Sequence, residues 1–237
     1  MSVRGGYPAA VRIGVIVQAR MSSARLPAKV LRPVSGRPLL GMLIDRLTRC
    51  RAIDAIIVAT SDRPDDDAIA RFCIDESTDV FRGPLEDVAA RFAGAARSHG
   101  LDAFVRVCAD SPLLDPALVD AAAARIKKGD CDMVTNVEPR TYPPGQSVEA
   151  VTTIAFARAR AFMTDDDDRE HVTRALYAHA DHFRIERLIR EEVCTEPHLA
   201  VDTADDLIRI AAVVERMDRP HWQYSLNEIL ELARTVP

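Results

Sequence analysis

The chain has 237 residues, of which 48% are hydrophobic, and its formal net charge at pH 7 is −5. A chain of this length and composition can bury a full hydrophobic core and is most simply interpreted as one α/β domain. The acidic balance argues against general nucleic-acid binding, although a local basic pocket remains compatible with a nucleotide substrate.

Cysteine usage and hydropathy indicate the compartment. The cysteines are five in number, widely spaced and without a C-x-x-C pair: Cys50, Cys73, Cys108, Cys131 and Cys194. This pattern favours reduced thiols in a cytosolic protein over disulfides or a zinc site. Residues 1–10 have no apolar core, and no apolar run approaches the roughly 20 residues of a membrane span. We therefore expect a cytoplasmic protein that has no membrane partner.

The first predicted strand ends in a loop that carries fixed positive charge. Residues 13–17 are apolar and rich in β-branched side chains, a pattern that predicts a strand buried on both faces of a parallel sheet. Three cations follow this strand, at Arg20, Arg25 and Lys29. The small residues between them allow backbone N–H groups to approach an anion, so the loop is suited to a polyphosphate. A solvated basic loop is the alternative, but open α/β sheets bind their ligands at this edge.

Residues 18–29, Gln-Ala-Arg-Met-Ser-Ser-Ala-Arg-Leu-Pro-Ala-Lys, resemble a family signature. The pattern Q-A-R-x-x-S-x-R-L-P-x-K is that of the sugar cytidylyltransferases, in the SpsF-like branch related to acylneuraminate and 3-deoxy-manno-octulosonate cytidylyltransferases. Later segments extend the resemblance to about Leu207. This chain departs from the family pattern at Ser22 and Ala28, where glycine is common. The resemblance implies that the nucleotide contacts Ala19, Arg20, Ser22, Ser23, Arg25 and Lys29, with Lys29 on the β- and γ-phosphates.

The next segments predict a helix and a second strand. Apolar residues recur at helical spacing from Leu39 to Leu47, with Pro38 at the first helical position. Residues 54–60 predict a buried strand that ends beside Ser61, which we expect to border the nucleotide. The acidic residues 65–67 predict a helix start, a role favoured over metal binding.

Residues 80–83, Val-Phe-Arg-Gly, resemble the F-R-G segment of the same family. The resemblance makes Arg82 a candidate contact to the base or a phosphate. A plain turn is the alternative, because a glycine after a short strand needs no ligand to explain it. A structural helix is predicted from Leu85 to His99.

Two aspartates follow predicted strands and are the candidate metal ligands. Asp110 follows a predicted strand over residues 102–109. Asp202 is one of the carboxylates that end a predicted strand over residues 198–206. The resemblance makes these residues the two magnesium carboxylates of the family. Mg²⁺ requires few protein carboxylates when substrate phosphates and waters supply the remaining ligands. A helix N-cap is the alternative for Asp110, and we assign capping to Asp205.

Two further segments resemble the acceptor-sugar region. Residues 137–149 are similar to R-x-Y-P-x-G-x-D-V-E, with Ser147 in place of the family's aspartate, and residues 169–173 match R-E-H-V-T. The resemblance implies substrate contacts at Arg140, Tyr142, Glu149, Arg169 and His171. A Pro-rich turn and a helix N-terminus are the respective alternatives.

The remaining patterns predict structure rather than chemistry. The four aspartates at 165–168 predict an acidic loop and a helix cap. The alternating pattern of residues 183–189 predicts an edge strand. His179 and His182, three apart on one predicted helix, are better explained as a surface pair than as a metal site. Residues 226–233 predict a packing helix.

These patterns together predict an α/β fold with a mainly parallel sheet flanked by helices, the glycosyltransferase-A-like, Rossmann-like nucleotidyltransferase architecture that the resemblance implies. We expect one domain over residues 1–237, with residues 137–190 as a candidate excursion for acceptor binding or dimerisation. The function implied is Mg²⁺-dependent transfer of CMP from CTP to a sugar acid, with a homodimer as a candidate assembly. A nucleotide-sugar-dependent glycosyltransferase and a non-catalytic nucleotide or sugar binder are the alternatives.

Overall fold

A computed structural model describes residues 11–236. Residues 1–10, discussed above for their lack of an apolar core, lie outside the described part. The strands are β1 Ile13–Gln18, β2 Pro33–Val34, β3 Arg37–Pro38, β4 Ala55–Ser61, β5 Asp79–Gly83, β6 Ala103–Cys108, β7 Met133–Thr135, β8 Glu149–Thr152 and β9 Ile185–Arg187. The helices are α1 Leu39–Leu47, α2 Asp67–Asp75, α3 Val88–Ser98, α4 Pro116–Ile126, α5 Thr153–Arg160, α6 Asp166–Glu170, α7 Arg174–Ala178, α8 Ala204–Glu215 and α9 Leu226–Arg234.

Seven strands form one sheet in the order β5-β4-β1-β6-β8-β7-β9, and β2 pairs with β3 in a separate hairpin. All neighbouring strands of the sheet are parallel except at β8, which is antiparallel to both β6 and β7. Because β8 runs in the opposite direction, its first residue lies at the edge where the parallel strands end. The prediction of a mainly parallel sheet flanked by helices is confirmed.

Both faces of the sheet are covered, which explains the apolar character of β1. Val15 and Val17 belong to a core cluster formed with α1, α4, α8 and α9, whereas Ile16 faces the opposite cluster with α3, α5 and α7. All three side chains are fully buried. The second cluster includes Phe104, whose ring centroid is 5.6 Å from Phe92 and 5.0 Å from Phe156. Alternate side chains of a doubly covered strand reach opposite cores, so neither face can be polar.

Several predicted boundaries need correction. Pro38 does not start the first helix but precedes it, and α3 begins at Val88 after the Asp87 N-cap, not at Leu85. The edge strand within 183–189 exists as β9, at the margin of the sheet. The predicted strand at 198–206 is wrong, because the segment before α8 makes no ladder and its Val201 N–H donates to the carbonyl of Asp110.

The two histidines considered as a pair do not share a helix. His179 is the C-terminal cap of α7, whereas His182 ends a separate 3₁₀ turn over Ala180–His182. The Phe162 ring lies 4.4 Å from the ring of His179 and 5.2 Å from that of His182, centroid to centroid. These rings therefore have a packing role. No helix among residues 11–236 combines the length and apolarity needed to cross a membrane.

Candidate active site

The three cations of the loop after β1 reach acidic partners from distant parts of the chain. Arg20 Nη2 lies 2.7 Å from Glu170 Oε1, and Arg25 Nη2 lies 2.9 Å from Asp202 Oδ1. Lys29 Nζ lies 2.7 Å from Asp110 Oδ2 and 2.9 Å from Asp202 Oδ1. The three candidate phosphate-binding cations of the loop and the two candidate metal carboxylates therefore lie close together in the structure.

Lys29 is the most enclosed of the three cations. Its side chain is 12% exposed, against 36% for Arg20 and 66% for Arg25. Burial alone would lower the pKa of Lys29, but the carboxylates of Asp110 and Asp202 outweigh burial and raise that pKa above its ordinary value. Lys29 is therefore a permanent cation placed between two carboxylates.

Asp110 is held at the sheet edge by backbone contacts rather than by a helix cap. The preceding N–H, that of Ala109, donates to the carbonyl of Gln18 at the end of β1. The next helix, α4, begins at Pro116 and is capped by Asp115, whose carboxylate accepts from the N–H of Ala117. The N-cap alternative for Asp110 is thus wrong, and its carboxylate is available to the cleft.

Asp202 is positioned by the start of α8. Thr203 and Asp206 form a capping box, and the Asp206 carboxylate also accepts from the backbone N–H of Asp202. The capping role assigned to Asp205 is wrong, because Asp205 is exposed and Asp206 is the residue three positions after the N-cap. The capping box leaves the Asp202 side chain directed at Lys29 and Arg25.

These groups surround a cleft of about 310 Å³ at the carboxyl edge of β1 and β6. Its lining consists of Gln18, Arg20, Ser23, Ala24, Arg25, Lys29, Val30, Cys108, Asp110 and Asp202. A larger cavity of about 530 Å³ lies elsewhere and includes Asp45, Asp54, Glu76 and Asp79 in its lining. Its carboxylates would repel a triphosphate, so the cationic cleft is the candidate nucleotide site.

In the loop after β1, several backbone N–H groups already donate hydrogen bonds to backbone carbonyls of the protein. The N–H of Ala19 donates to the carbonyl of Ala59, and the N–H groups of Ser23 and Ala28 donate to the carbonyl of Met21. Ser22 is exposed, and its N–H makes no hydrogen bond to any described residue. Ala28 adopts a left-handed φ of 58°, a conformation that glycine adopts without strain. Ala28, which stands where the family commonly has glycine, is therefore at a position whose backbone conformation favours glycine.

Ser61 and Arg82 lie beneath and beside the loop rather than in the lining of the cleft. Ser61 is fully buried, and its hydroxyl and N–H donate to the carboxylate of Asp66, which also accepts from the N–H of Met21. Arg82 donates to the carbonyls of Ser61 and Arg63 and pairs with Asp67 at 2.7 Å. Ser61 is thus connected through Asp66 to Met21 of the loop, whereas Arg82 holds the segment that follows β4.

A second cavity, of about 440 Å³, adjoins the cleft on the β8 side. Its lining consists of Arg106, Cys108, Val137, Arg140, Ser147, Glu149, His171, Thr173, Arg174, Tyr177 and Ala178. Cys108 lines both cavities, so they meet at the end of β6. We call this second cavity the acceptor cavity. Burial raises the pKa of the Cys108 thiol to about 11, so that thiol is neutral at physiological pH.

The predicted acceptor residues divide between this cavity and the surrounding structure. Arg140, Glu149 and His171 line it, whereas Tyr142 packs against the main core and Arg169 pairs with Asp166 at 2.8 Å. Glu149 is 2% exposed, so little of its surface is accessible to a ligand. Arg140 Nη1 donates to the Ser147 hydroxyl at 3.2 Å, the only hydrogen bond its side chain makes to the described residues.

The sequence interpretation missed Glu170, Gln18 and Arg106. Glu170 holds Arg20, and Arg106 links Gln18 to Glu149 across three strands. A signal for Arg106 was present, because an arginine within an otherwise apolar buried strand requires a buried partner. Glu170 lies within the R-E-H-V-T match, but that match gave no indication that its partner is Arg20.

Comparison with known proteins places these features in one family. A family model described as Cytidylyltransferase matches residues 14–216. The chain is 31% identical over 229 residues to the spore coat polysaccharide biosynthesis protein SpsF of Bacillus subtilis strain 168, covering 94% of each chain. It is 33% identical over 147 residues to a 3-deoxy-manno-octulosonate cytidylyltransferase of Anaeromyxobacter sp. strain Fw109-5, covering 60% of this chain and 58% of that protein. A solved cytidylyltransferase structure from Leptospira borgpetersenii has a TM-score of 0.89 at 24% identity and 94% coverage of both chains.

Proposed function

Since this chain belongs to the cytidylyltransferase family and is a nucleotidyltransferase, we propose that it transfers CMP from CTP to a sugar acid with release of pyrophosphate. The acceptor class is a nonulosonate or a related 2-keto-3-deoxy acid, and the product serves surface polysaccharide or glycan biosynthesis. The names of two relatives support these assignments, one for a polysaccharide pathway and the other for a 3-deoxy sugar acid.

The observation that carries this proposal is the position of Lys29 between Asp110 and Asp202. Two carboxylates, one just after β6 and the other just before α8, converge on one cation, within a cleft that also contains Arg20 and Arg25. A triphosphate needs several cations, and a divalent ion needs carboxylates nearby. The cleft supplies both.

The same convergence indicates that the site can hold magnesium. No group of three His, Cys, Asp or Glu side chains among residues 11–236 is placed to bind a metal by itself. Mg²⁺ typically takes one or two carboxylates and completes its shell with phosphates and waters, which fits Asp110 and Asp202. Lys29 Nζ lies between these two carboxylates, within 2.9 Å of each. When bound, Mg²⁺ would act as a Lewis acid at the phosphoryl oxygens.

The reaction is an in-line displacement at the α-phosphorus of CTP. A hydroxyl oxygen of the sugar acid forms a bond to that phosphorus as the bond to the β-phosphate bridging oxygen breaks. The hydroxyl proton passes to solvent, and pyrophosphate leaves with the electron pair. Arg20, Arg25 and Lys29 hold the departing charge in place, so the chain contributes positioning and electrostatic stabilisation without a covalent intermediate.

The acceptor cavity supports a negatively charged acceptor. Arg140 and His171 line it, and the hydrogen bond from Arg140 to the Ser147 hydroxyl leaves further guanidinium N–H groups free for a carboxylate. Direct ligand contacts at Ser61, Arg82, Tyr142 and Arg169 remain predictions. A homodimer remains a prediction.

Pyrophosphate release tests the proposal directly. CTP, UTP, ATP and GTP are each incubated with Mg²⁺ and a panel of nonulosonic and 2-keto-3-deoxy sugar acids, and pyrophosphate is measured. We expect release with CTP and at least one sugar acid, and a thermal shift with CTP that corresponds to about 2.7 kcal/mol at 100 times its Kd. Sugar transfer from CDP- or UDP-sugars without pyrophosphate release would favour a glycosyltransferase. Binding without turnover of any sugar acid would favour a non-catalytic binder.

A further inference from the structure

Gln18, the last residue of β1, contacts the partly buried side chain of Arg106. Its Oε1 accepts a hydrogen bond from Arg106 Nη2 at 3.0 Å, with Arg106 Nε at 3.4 Å from the same oxygen. Arginine has only donors, so the amide oxygen must face Arg106 and the amide nitrogen must face away. The orientation of this side chain is therefore fixed by chemistry.

Arg106 is held in place by a partly buried hydrogen-bond network around Glu149. Its Nη1 lies 2.5 Å from Glu149 Oε2, and the other oxygen of Glu149 accepts from the hydroxyls of Thr173 at 2.8 Å and Tyr177 at 2.6 Å. Burial and the neighbouring Glu149 raise the pKa of Tyr177, so its hydroxyl keeps the proton it donates. A fully connected network of this kind holds each member in one orientation.

The Gln18 amide nitrogen lies on the side of the amide group away from Arg106. Gln18 lines the nucleotide cleft, and none of residues 11–236 accepts a hydrogen bond from its Nε2. Gln18 is paired in register with Cys108, the residue that lines both the cleft and the acceptor cavity. An unpartnered donor thus lies where the two cavities meet.

We propose that Gln18 is a catalytic residue whose Nε2 donates a hydrogen bond to a non-bridging oxygen of the α-phosphate during transfer. This inference rests on the proposed function, in which the acceptor meets the α-phosphorus where the cavities join. Negative charge is concentrated on these oxygens in the transition state, so a donor held in place by Arg106 stabilises them without reorganisation. Gln18 lines the cleft and not the acceptor cavity, which assigns it to the phosphate rather than to the sugar.

Two substitutions separate this role from support of Arg106. Gln18→Glu and Gln18→Met both remove the Nε2 donor, but only glutamate retains an oxygen acceptor for Arg106. Both variants are checked for folding by thermal melting, and kcat is measured at saturating CTP and saturating sugar acid. The added charge of Gln18→Glu is accounted for by measuring its CTP affinity separately by calorimetry.

We expect both variants to lose about 100-fold in kcat, with the acceptor KM changed less than threefold. Wild-type kcat in Gln18→Glu, with loss only in Gln18→Met, would mean that Gln18 merely supports Arg106 and would overturn the proposal. A loss confined to the acceptor KM would also overturn it, by assigning the donor to the sugar. A wild-type protein inactive with every sugar acid would instead contradict the proposed function, which is a separate outcome.

Discussion

Lys29 Nζ lies 2.7 Å from Asp110 Oδ2, although 81 residues separate the two positions in the chain. Asp202 approaches the same nitrogen at 2.9 Å. The predicted phosphate lysine therefore occupies the interval between the two predicted metal carboxylates. If a divalent ion bound between these carboxylates, it would compete with Lys29 for them, so we expect phosphate binding and metal binding at this site to be linked.

The two carboxylates can be tested separately. We expect Asp110→Asn and Asp202→Asn each to reduce turnover at saturating Mg²⁺ by at least 100-fold, because each removes a charge from the metal site. Stability should change by less than about 1 kcal/mol, because Lys29 keeps one carboxylate in either variant. Pyrophosphate release and denaturant unfolding provide the two measurements. The exposed Asp205→Asn is the matched control, and near-normal activity in either test variant would contradict its assignment as a metal ligand.

Loss of Lys29 should affect the triphosphate but not the monophosphate. Lys29→Met should weaken CTP and pyrophosphate binding by roughly 10- to 150-fold, as expected for one charge-assisted hydrogen bond, and leave CMP nearly unchanged. Calorimetry with the three ligands decides this. Equal weakening of CMP would mean that Lys29 contacts the α-phosphate or maintains the loop.

The same variant tests the competition between lysine and metal. In Lys29→Met the two carboxylates lose the cation between them, so Mg²⁺ or Mn²⁺ should bind without nucleotide at least tenfold more tightly than in wild type. The metal should also raise the melting temperature of the variant more than that of wild type. Equal metal affinities in the two proteins would show that Lys29 and the metal do not share a position.

The ion pair with Glu170 should weaken the interaction of Arg20 with the phosphates of CTP. The pair is partly exposed and is therefore worth about 0.2–1 kcal/mol. We expect Glu170→Gln to tighten CTP binding by no more than about fivefold, an effect that shrinks as salt is raised. Calorimetry at two ionic strengths checks it. Glu231→Gln, an exposed change on α9, controls for loss of one negative charge. Weaker CTP binding in Glu170→Gln would instead mean that the pair holds Arg20 ready for phosphate.

Asp206 should give stability a specific pH dependence. Burial would raise its pKa, but hydrogen bonds from Thr203, from the N–H of Asp202 and from Arg209 lower that pKa to about 2. A lowered pKa in the folded state means that the stabilisation is complete above about pH 4 and disappears as pH falls through 2. The shift corresponds to about 2 kcal/mol.

We therefore expect Asp206→Asn to be less stable than wild type by about 1–2 kcal/mol at pH 7, with the difference closing near pH 2. Urea unfolding at several pH values measures it, and Asp205→Asn should follow wild type throughout. A difference that persists unchanged at pH 2 would assign the loss to packing rather than to the carboxylate.

The sequence by itself determined the features that depend on local pattern. Three features follow from short-range periodicity and composition: the continuous burial of β1, the apolar faces of α1 and α9, and the order of Arg20, Arg25 and Lys29 after a strand. The resemblance at residues 18–29 then indicated the family, and the comparisons confirmed it.

Only the tertiary structure decided which charges meet. Arg20 meets Glu170 across 150 positions, and Lys29 meets Asp202 across 173, because the fold brings α6 and the segment before α8 to the edge where β1 ends. The sequence could not choose between Asp205 and Asp206 as the cap, since both suit a first helical turn and only the backbone geometry selects one. Nor could it orient Gln18, because that orientation depends on Arg106, a neighbour supplied by another strand.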